Sequence, residues 1–352
     1  MNPINAKRPI RAESDTFAGT GEPLPALPLA AYRAAVALDE PFRPAAPPAE
    51  PARPDTHVRT ALRLLSTDPA VSLLGLPADE VRSLADTEGS GAGVDATTRR
   101  RLLRALLTVR APGPLPEGAD RELDALLGAE RELRRTVSAL ELPTIAAEFS
   151  GVSFPAAAGT AVWRGDITTL AADAVVNAAN SRLLGCFRPR HPCIDNALHN
   201  AAGPRLRDDC HTVVTAQGAP EPTGTAKITR GYHLPARYVL HTVGPIVQGR
   251  PRARDARALA SSYRACLDLA AEVETIRTLA FCAVSTGVFG YPKEEAAPVA
   301  LRAVAEWTAA RPGRFDRVVF TVFLDDDEDA YRRALGTTSH PWLEEGVASS
   351  GT

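Results

Sequence analysis

The 352-residue chain predicts an α/β protein, a layered strand-and-helix domain with an N-terminal helical extension. Three observations predict this class. From about Gly151 onward, short runs rich in β-branched and aromatic residues alternate with helical periods, the pattern of a largely parallel or mixed sheet covered by helices. Between residues 55 and 142 the apolar residues recur instead at three and four, as in Val58, Leu62 and Leu65, and again in Leu102, Leu103, Leu106 and Leu107. Residues 1 to 54 are rich in Pro and Ala, with runs such as Pro44-Ala45-Ala46-Pro47-Pro48. A sustained period occurs there only around Leu29 to Leu38, so a largely disordered, mostly extended tail with at most one helix is expected.

In the extension, Asp55 and Asp95 read as helix N-caps, and Ala111-Pro112-Gly113-Pro114 stops the second long helix. A third helix is expected from about Asp120 to Leu140, with Leu123, Leu126, Leu127 and Leu133 on its apolar side. Arg99, Arg100, Arg101 and Arg104 read as a solvated helix face, with an acidic partner as the lesser reading. In the layered domain, placed at residues 151 to 338, the strand candidates are Thr160 to Trp163, Ala174 to Val176, Tyr238 to Val243, Leu279 to Ala283 and Arg317 to Phe323. Helical periods fall at about Ile194 to Ala202, Ala256 to Ala271, Lys293 to Ala309 and Asp327 to Ala334. Residues 339 to 352 are expected to form a frayed C-terminal tail.

A formal net charge of −2 predicts no general attraction to nucleic acid or to an anionic membrane. Residues 1 to 23 include Lys7, Arg8 and Arg11 but no apolar run behind them, so no secretory signal is expected. No apolar stretch approaches membrane-spanning length. Five Cys in a chain of this length argue against a disulfide framework and for a reducing, cytoplasmic setting.

The densest chemistry lies between Asn177 and Cys210. Cys186, His191 and Cys193 form a C-x4-H-x-C cluster, and thiolate plus imidazole is a ligand set suited to Zn2+. Three local ligands leave one tetrahedral position for water or substrate, as in catalytic zinc sites. Small buried cysteines and a loop histidine would be the plainer account of the same residues. Two other strand-end loops stand out. Arg164-Gly165-Asp166-Ile167-Thr168 offers a carboxylate that could accept from an exocyclic amine, although Gly-Asp is also ordinary turn chemistry. Ser285-Thr286-Gly287-Val288-Phe289-Gly290-Tyr291-Pro292 runs into a helix, and its glycines and that helix N-terminus suit a phosphate cradle or a plain connector. His199 and His241 read as packed histidines, Cys266 and Cys282 as core residues, and Cys210 with His211 as remote candidates for further zinc ligands.

Taken together and in order, G-D-I-T, V-V-N-A-A-N, I-D-N-A-L-H-N-A-A-G, Y-V-L-H-T-V-G-P and S-T-G-V-F-G-Y-P resemble the macrodomain family of ADP-ribose-binding modules. The resemblance covers about Gly151 to Ala334 and implies the macrodomain fold, a mixed central sheet flanked by helices. Many macrodomains have a glycine-rich run between the Asn motif and the Asp. Here that segment is Gly185-Cys186-Phe187-Arg188-Pro189-Arg190-His191-Pro192-Cys193, which resembles the zinc-dependent subclass of protein-ADP-ribose hydrolases. The helical region ending in Ala111-Pro112-Gly113-Pro114-Leu115-Pro116 resembles that subclass's N-terminal extension.

The resemblance implies a division of labour. Asp166 would receive the adenine amine, Ile167 would offer backbone contact, and Phe323 would stack on the ring. Backbone N–H groups from Ser285, Thr286, Gly287, Val288, Phe289 and Gly290 would hold the pyrophosphate, with Phe289 over the distal ribose. Asn180 would orient that ribose, Asp195 would activate water or ribose, and Cys186, His191 and Cys193 would hold Zn2+. The expected activity is zinc-dependent removal of mono-ADP-ribose from acidic side chains, and the competing reading is a non-catalytic ADP-ribose reader. The resemblance further implies a protein substrate of the lipoyl-carrier type, modified by a sirtuin-like transferase.

Overall fold

The computed structural model describes residues 26–46, 53–86 and 95–336. The predicted C-terminal tail, 339 to 352, lies outside these, as do residues 1–25.

Among the described residues five helices form the extension: α1 (Pro54–Leu65), α2 (Ala70–Leu73), α3 (Ala78–Asp86), α4 (Ala96–Val109) and α5 (Ala119–Leu133). Their apolar stripes converge on a core of their own, in which Val58, Leu62, Leu65, Leu103, Leu106, Leu123 and Leu126 are buried. Asp95 caps α4 by accepting from Thr98 N at 2.6 Å, as expected. Asp55 does not cap α1, whose N-cap is Arg53 with Pro54 at the first helical position. Asp55 pairs instead with Arg99 at 2.8 Å, and Arg100 pairs with Glu130. Two members of the predicted solvated arginine face are therefore staples between helices. The third long helix ends at Leu133, earlier than the predicted Leu140. The chain then extends so that β1 (Val137–Ser138) pairs with β3 (Leu170–Ala171).

After the short α6 (Ile145–Glu148) comes the layered domain, with a six-stranded sheet in the order β2-β8-β7-β4-β6-β5. The parallel strands are β2 (Thr160–Arg164), β4 (Ala174–Ala178), β6 (Tyr238–Thr242), β7 (Thr278–Phe281) and β8 (Arg317–Val322), while β5 (Ala226–Arg230) runs antiparallel at one edge. Helices α7 (Ile194–Ala202), α8 (Pro204–Gln217), α9 (Ala253–Ala271), α10 (Lys293–Ala310) and α11 (Asp325–Gly336) complete the layers. Val175, Val176, Val239, Leu240, Ala280, Phe281 and Val319 are almost wholly buried, which explains their near-continuous apolar runs.

The expected extended tail is corrected in its described part. A short 3₁₀ turn at Leu29–Ala31 leads into a segment whose Leu29, Tyr32, Val36 and Leu38 join the core of the layered domain. Ile228 N donates to Tyr32 Oη at 3.0 Å, so this segment straps the edge strand β5.

Because β2, β8, β7, β4 and β6 are mutually parallel, the loops that follow them emerge at one edge of the sheet. From β2 to β4 is three strand spacings, about 14 Å. That row suits an elongated ligand with chemically distinct ends.

Candidate active site

At the β2 end, Gly165 N donates to Val322 O at 3.0 Å, tying the Gly-Asp turn to the end of β8. This sets Asp166 and Phe323 on adjacent strand ends. A Cβ on Gly165 would lie 2.2 Å from the Trp163 ring, so any larger residue there would have to displace the indole. Asp166 is exposed, and its Oδ1 accepts from Thr168 N at 2.9 Å and Thr168 Oγ1 at 2.7 Å. No hydrogen bond engages its Oδ2 among the described residues. Ile167 is buried beneath the turn, and Phe323 is 71% exposed, an unusual position for a phenylalanine in a folded protein.

At the β7 end, the loop from Ser285 to Gly290 closes on itself: Tyr291 N donates to Ser285 O and Gly290 N to Gly287 O, both at 3.0 Å. Gly290 has φ +72°, and a Cβ there would meet Val247 O at 2.7 Å. The loop is thus pressed against the segment after β6, and Val247 N donates to Phe289 O at 2.7 Å. The N–H groups of Gly287, Val288 and Phe289 have no protein acceptor among the described residues, which suits an anion cradle. Val288 is exposed, whereas Phe289 packs on Ala179, Leu183, Cys210 and Val243.

The β4 end carries the reactive groups. Cys193 is the N-cap of α7, and Asn196 N donates to its Sγ at 3.4 Å. Cys186 Sγ lies 3.4 Å from His191 Nδ1, and the ligand atoms of Cys186, His191 and Cys193 all fall within 4.8 Å of one another. A tetrahedral zinc with ordinary Zn–S and Zn–N lengths would separate S and N by about 3.6 Å. The cluster fits that ion in ligand chemistry and spacing. The hydrogen bond with Cys193 favours thiolate on Cys186, and Cys193 in turn keeps its proton, an arrangement ready for a cation to displace that last proton. Asn196, whose contribution the sequence reading missed, braces the loop by donating to Arg188 O at 2.8 Å and His191 O at 3.1 Å.

Asp195 sits in the first turn of α7, two residues past Cys193, and is almost wholly buried. Its Oδ1 accepts from Asn177 Nδ2 at 2.9 Å and its Oδ2 from Asn180 Nδ2 at 3.4 Å. Burial pushes this carboxyl up to about 7 against the opposing bond from Asn177. Asn180 also donates to Gly185 O at 3.0 Å, so its amide links Asp195 to the ligand loop. Asn177, the first Asn of V-V-N-A-A-N, is marked for this role by nothing in the sequence, because the role depends on β4 turning its side chain toward Asp195.

Cys210 does not complete the metal cluster, because its Sγ is buried 3.6 Å from His241 Nε2, and His211 is exposed. His199, Cys210 and His241 do form a second tight group. Both ring nitrogens of His241 are nevertheless engaged, Nε2 with Thr229 Oγ1 at 2.9 Å and Nδ1 with Asn177 Nδ2 at 3.2 Å. Burial holds both histidines neutral and the Cys210 thiol protonated. These residues are a packed polar floor under Asp195. Cys266 and Cys282 lie in the core.

The Macro domain family matches residues 176–300. The chain is 42% identical over 241 residues to a protein of Treponema medium named protein-ADP-ribose hydrolase, covering 68% of this chain and 89% of that one. It is 48% identical over 175 residues to the protein of the same name from Staphylococcus aureus strain MRSA252, covering 49% of this chain and 65% of that protein. Among solved structures it is similar to the Trypanosoma brucei macrodomain in complex with ADP-ribose, with a TM-score of 0.51, 31% identity, and coverage of 66% and 95% of the two chains. Strand-end loops that carry the family's motifs, and a relative matched over nearly its whole length, lead to one assignment: the chain belongs to the macrodomain family, in the company of these protein-ADP-ribose hydrolases.

Proposed function

We propose that the protein is a zinc-dependent hydrolase that removes mono-ADP-ribose from acidic side chains of modified proteins. The observation that carries this reading is the junction at the β4 end, where a Cys-His-Cys cluster of zinc-binding character lies two residues from Asp195 and shares Asn180 with it. Binding alone would need the adenine and phosphate loops but not this junction.

The division of labour follows the order of the strands. Asp166 and Phe323 at adjacent strand ends receive and stack the adenine, with Ile167 supplying backbone contact. The free N–H groups of Gly287, Val288 and Phe289 take the pyrophosphate, with Ser285, Thr286 and Gly290 shaping the turn. Cys186, His191 and Cys193 hold Zn2+, which when bound supplies Lewis-acid polarisation and positioning of a ribose hydroxyl or water. Asn180 fixes the distance between the ligand loop and Asp195. Asp195, held on both oxygens, presents a fixed acceptor for the proton released by the attacking water or ribose hydroxyl. The resemblance to the zinc subclass further proposes a lipoyl-carrier protein, modified by a sirtuin-like transferase, as the substrate, and the sparse cysteines propose a reducing, cytoplasmic setting. No helix among the described residues is long and apolar enough to cross a membrane.

The test is a substrate panel of proteins mono-ADP-ribosylated on Asp or Glu, on Ser and on Arg, incubated with the zinc-loaded protein. Release of ADP-ribose from the acidic linkage alone is the expected result. Tight ADP-ribose binding without release from any member would make the protein a reader instead.

A further inference from the structure

The N-terminal helices are joined to the Cys-His-Cys loop through one side chain. Arg207, on α8, is buried, and it forms four hydrogen bonds to backbone carbonyls. Three of those carbonyls belong to the last turn of α4 and its exit: Leu107 O at 2.7 Å, Thr108 O at 3.2 Å and Arg110 O at 2.6 Å. A helix C-terminus leaves such carbonyls unpaired and partly negative, so a guanidinium is the side chain suited to cap it. The fourth is Leu184 O, at 2.8 Å from Arg207 Nε and two residues before Cys186.

The loop on the other side is built around this guanidinium. Gly185 has φ +90°, and a Cβ there would lie 3.3 Å from Arg207 Nη2 and 3.3 Å from the His199 ring. The Arg207 guanidinium lies over the Phe187 ring, 4.6 Å from its centroid. Cys186 therefore lies between Leu184 and Phe187, which both contact Arg207, and follows a glycine that leaves room for its guanidinium. The loop also contains strain that must be held from outside: Leu183, Phe187 and Arg190 all have positive φ, at 59°, 53° and 63°. Each such residue is disfavoured and persists only where its surroundings fix it. Thr108 and Asn200 approach at 3.4 Å, and Gly113 N donates to Asp208 Oδ1 at 2.9 Å, so α4 meets α7 and the loop after α4 meets α8.

We infer that Arg207 is a positioning residue that transmits the placement of the helical extension to the metal-binding loop, so that the extension is part of the apparatus that holds Cys186 in place. The inference rests on the proposal that Cys186, His191 and Cys193 bind a metal, and it assigns Arg207 no contact with substrate. Outer residues that orient metal ligands typically alter metal affinity ten- to a hundred-fold, and Arg207 belongs to that class.

The experiment uses the full chain with Co2+ as the probe, because its thiolate charge-transfer and d–d absorption report ligand number and geometry. Wild type, Arg207→Met, Arg207→Lys and Phe187→Ala are titrated with Co2+ against a competing chelator, and ADP-ribose affinity is measured by calorimetry. Arg207→Met and Arg207→Lys should each bind Co2+ at least about ten-fold more weakly, with altered d–d bands. Lysine should fail to restore binding, because a single ammonium cannot reach four carbonyls in fixed directions. Phe187→Ala should move in the same direction by a smaller factor, and ADP-ribose affinity should stay within about two-fold in every folded variant. Wild-type Co2+ affinity and spectrum in both Arg207→Met and Phe187→Ala would overturn the inference and leave the metal site standing. If Arg207→Met does not fold, unchanged Co2+ binding by Phe187→Ala is sufficient to overturn it. A wild-type chain that takes up no Co2+ with a thiolate signature would overturn the metal reading, and this inference with it.

Discussion

Asp195 and Asp209 are two buried carboxyls on neighbouring helices with opposite implications. Asp195 is held by Asn177 and Asn180 beside the proposed metal ligands, where a fixed acceptor is useful to a reaction and of no evident use to the fold. Asp195→Ala should leave ADP-ribose affinity within a few-fold and lower the rate of ADP-ribose release by about a hundred-fold or more, as loss of a positioned proton acceptor does. Calorimetry alongside a single-turnover release assay checks this, and an equal loss in both would remove Asp195 from the reaction. Asp209 has no place in the site. Burial pushes its carboxyl up to about 6, with the Tyr232 hydrogen bond and Arg230 only partly opposing. Between about pH 4 and pH 6 the folded chain therefore keeps a proton that the unfolded chain has released. The stability this residue contributes is complete below that window and is lost as pH rises through it. Asp209→Asn should raise the melting temperature at neutral pH by a few degrees. That advantage should vanish near pH 4 in thermal unfolding measured across the range, and a shift of the same size at both ends would refute the assignment.

At the scale of elements, the parallel strands and their loops were legible because a strand buried on both faces reads as a continuous apolar run. What escaped was polar in composition or apolar in a misleading context. Strand β5 reads Ala-Lys-Ile-Thr-Arg and looks like a surface segment, yet Lys227 is buried in a 2.7 Å pair with Glu221. Helix α8 begins Pro204-Arg205-Leu206-Arg207-Asp208-Asp209, and its charges conceal a helix whose buried side includes Leu206, Arg207, Cys210 and Val213. The strap through Tyr32 was hidden by a Pro/Ala-rich setting that resembles an unfolded tail. Tyr32→Phe tests whether it contributes to the fold. Removing the hydroxyl leaves the buried Ile228 N–H unpaired, at a cost of about 1–3 kcal/mol. Urea unfolding should register that loss while ADP-ribose affinity is unchanged, and a variant as stable as wild type would mean that the strap adds nothing to β5.

For the whole molecule, the site was legible in its parts and not in its joints. The residue types proposed to bind adenine, phosphate and zinc could be read from G-D-I-T, S-T-G-V-F-G-Y-P and the Cys-His-Cys spacing. The residues that hold those parts together, Asn177, Asn196 and Arg207, are an amide, another amide and a guanidinium, whose work depends on which atoms the fold brings within 3 Å of them, from eight residues away for Asn196 to 97 for Arg207. The layout that results is a row along one sheet edge, running from the proposed adenine side at β2 and β8 through the proposed phosphate loop at β7 to the Cys-His-Cys loop at β4. The central claim is that the last of these makes the protein a hydrolase. The most direct measurement is release of ADP-ribose from a carrier protein modified on Asp or Glu, before zinc removal, after removal by chelation, and after zinc is restored. The account predicts release that disappears with the metal and returns with it, while ADP-ribose binding persists throughout. Release that continues undiminished without zinc would contradict it.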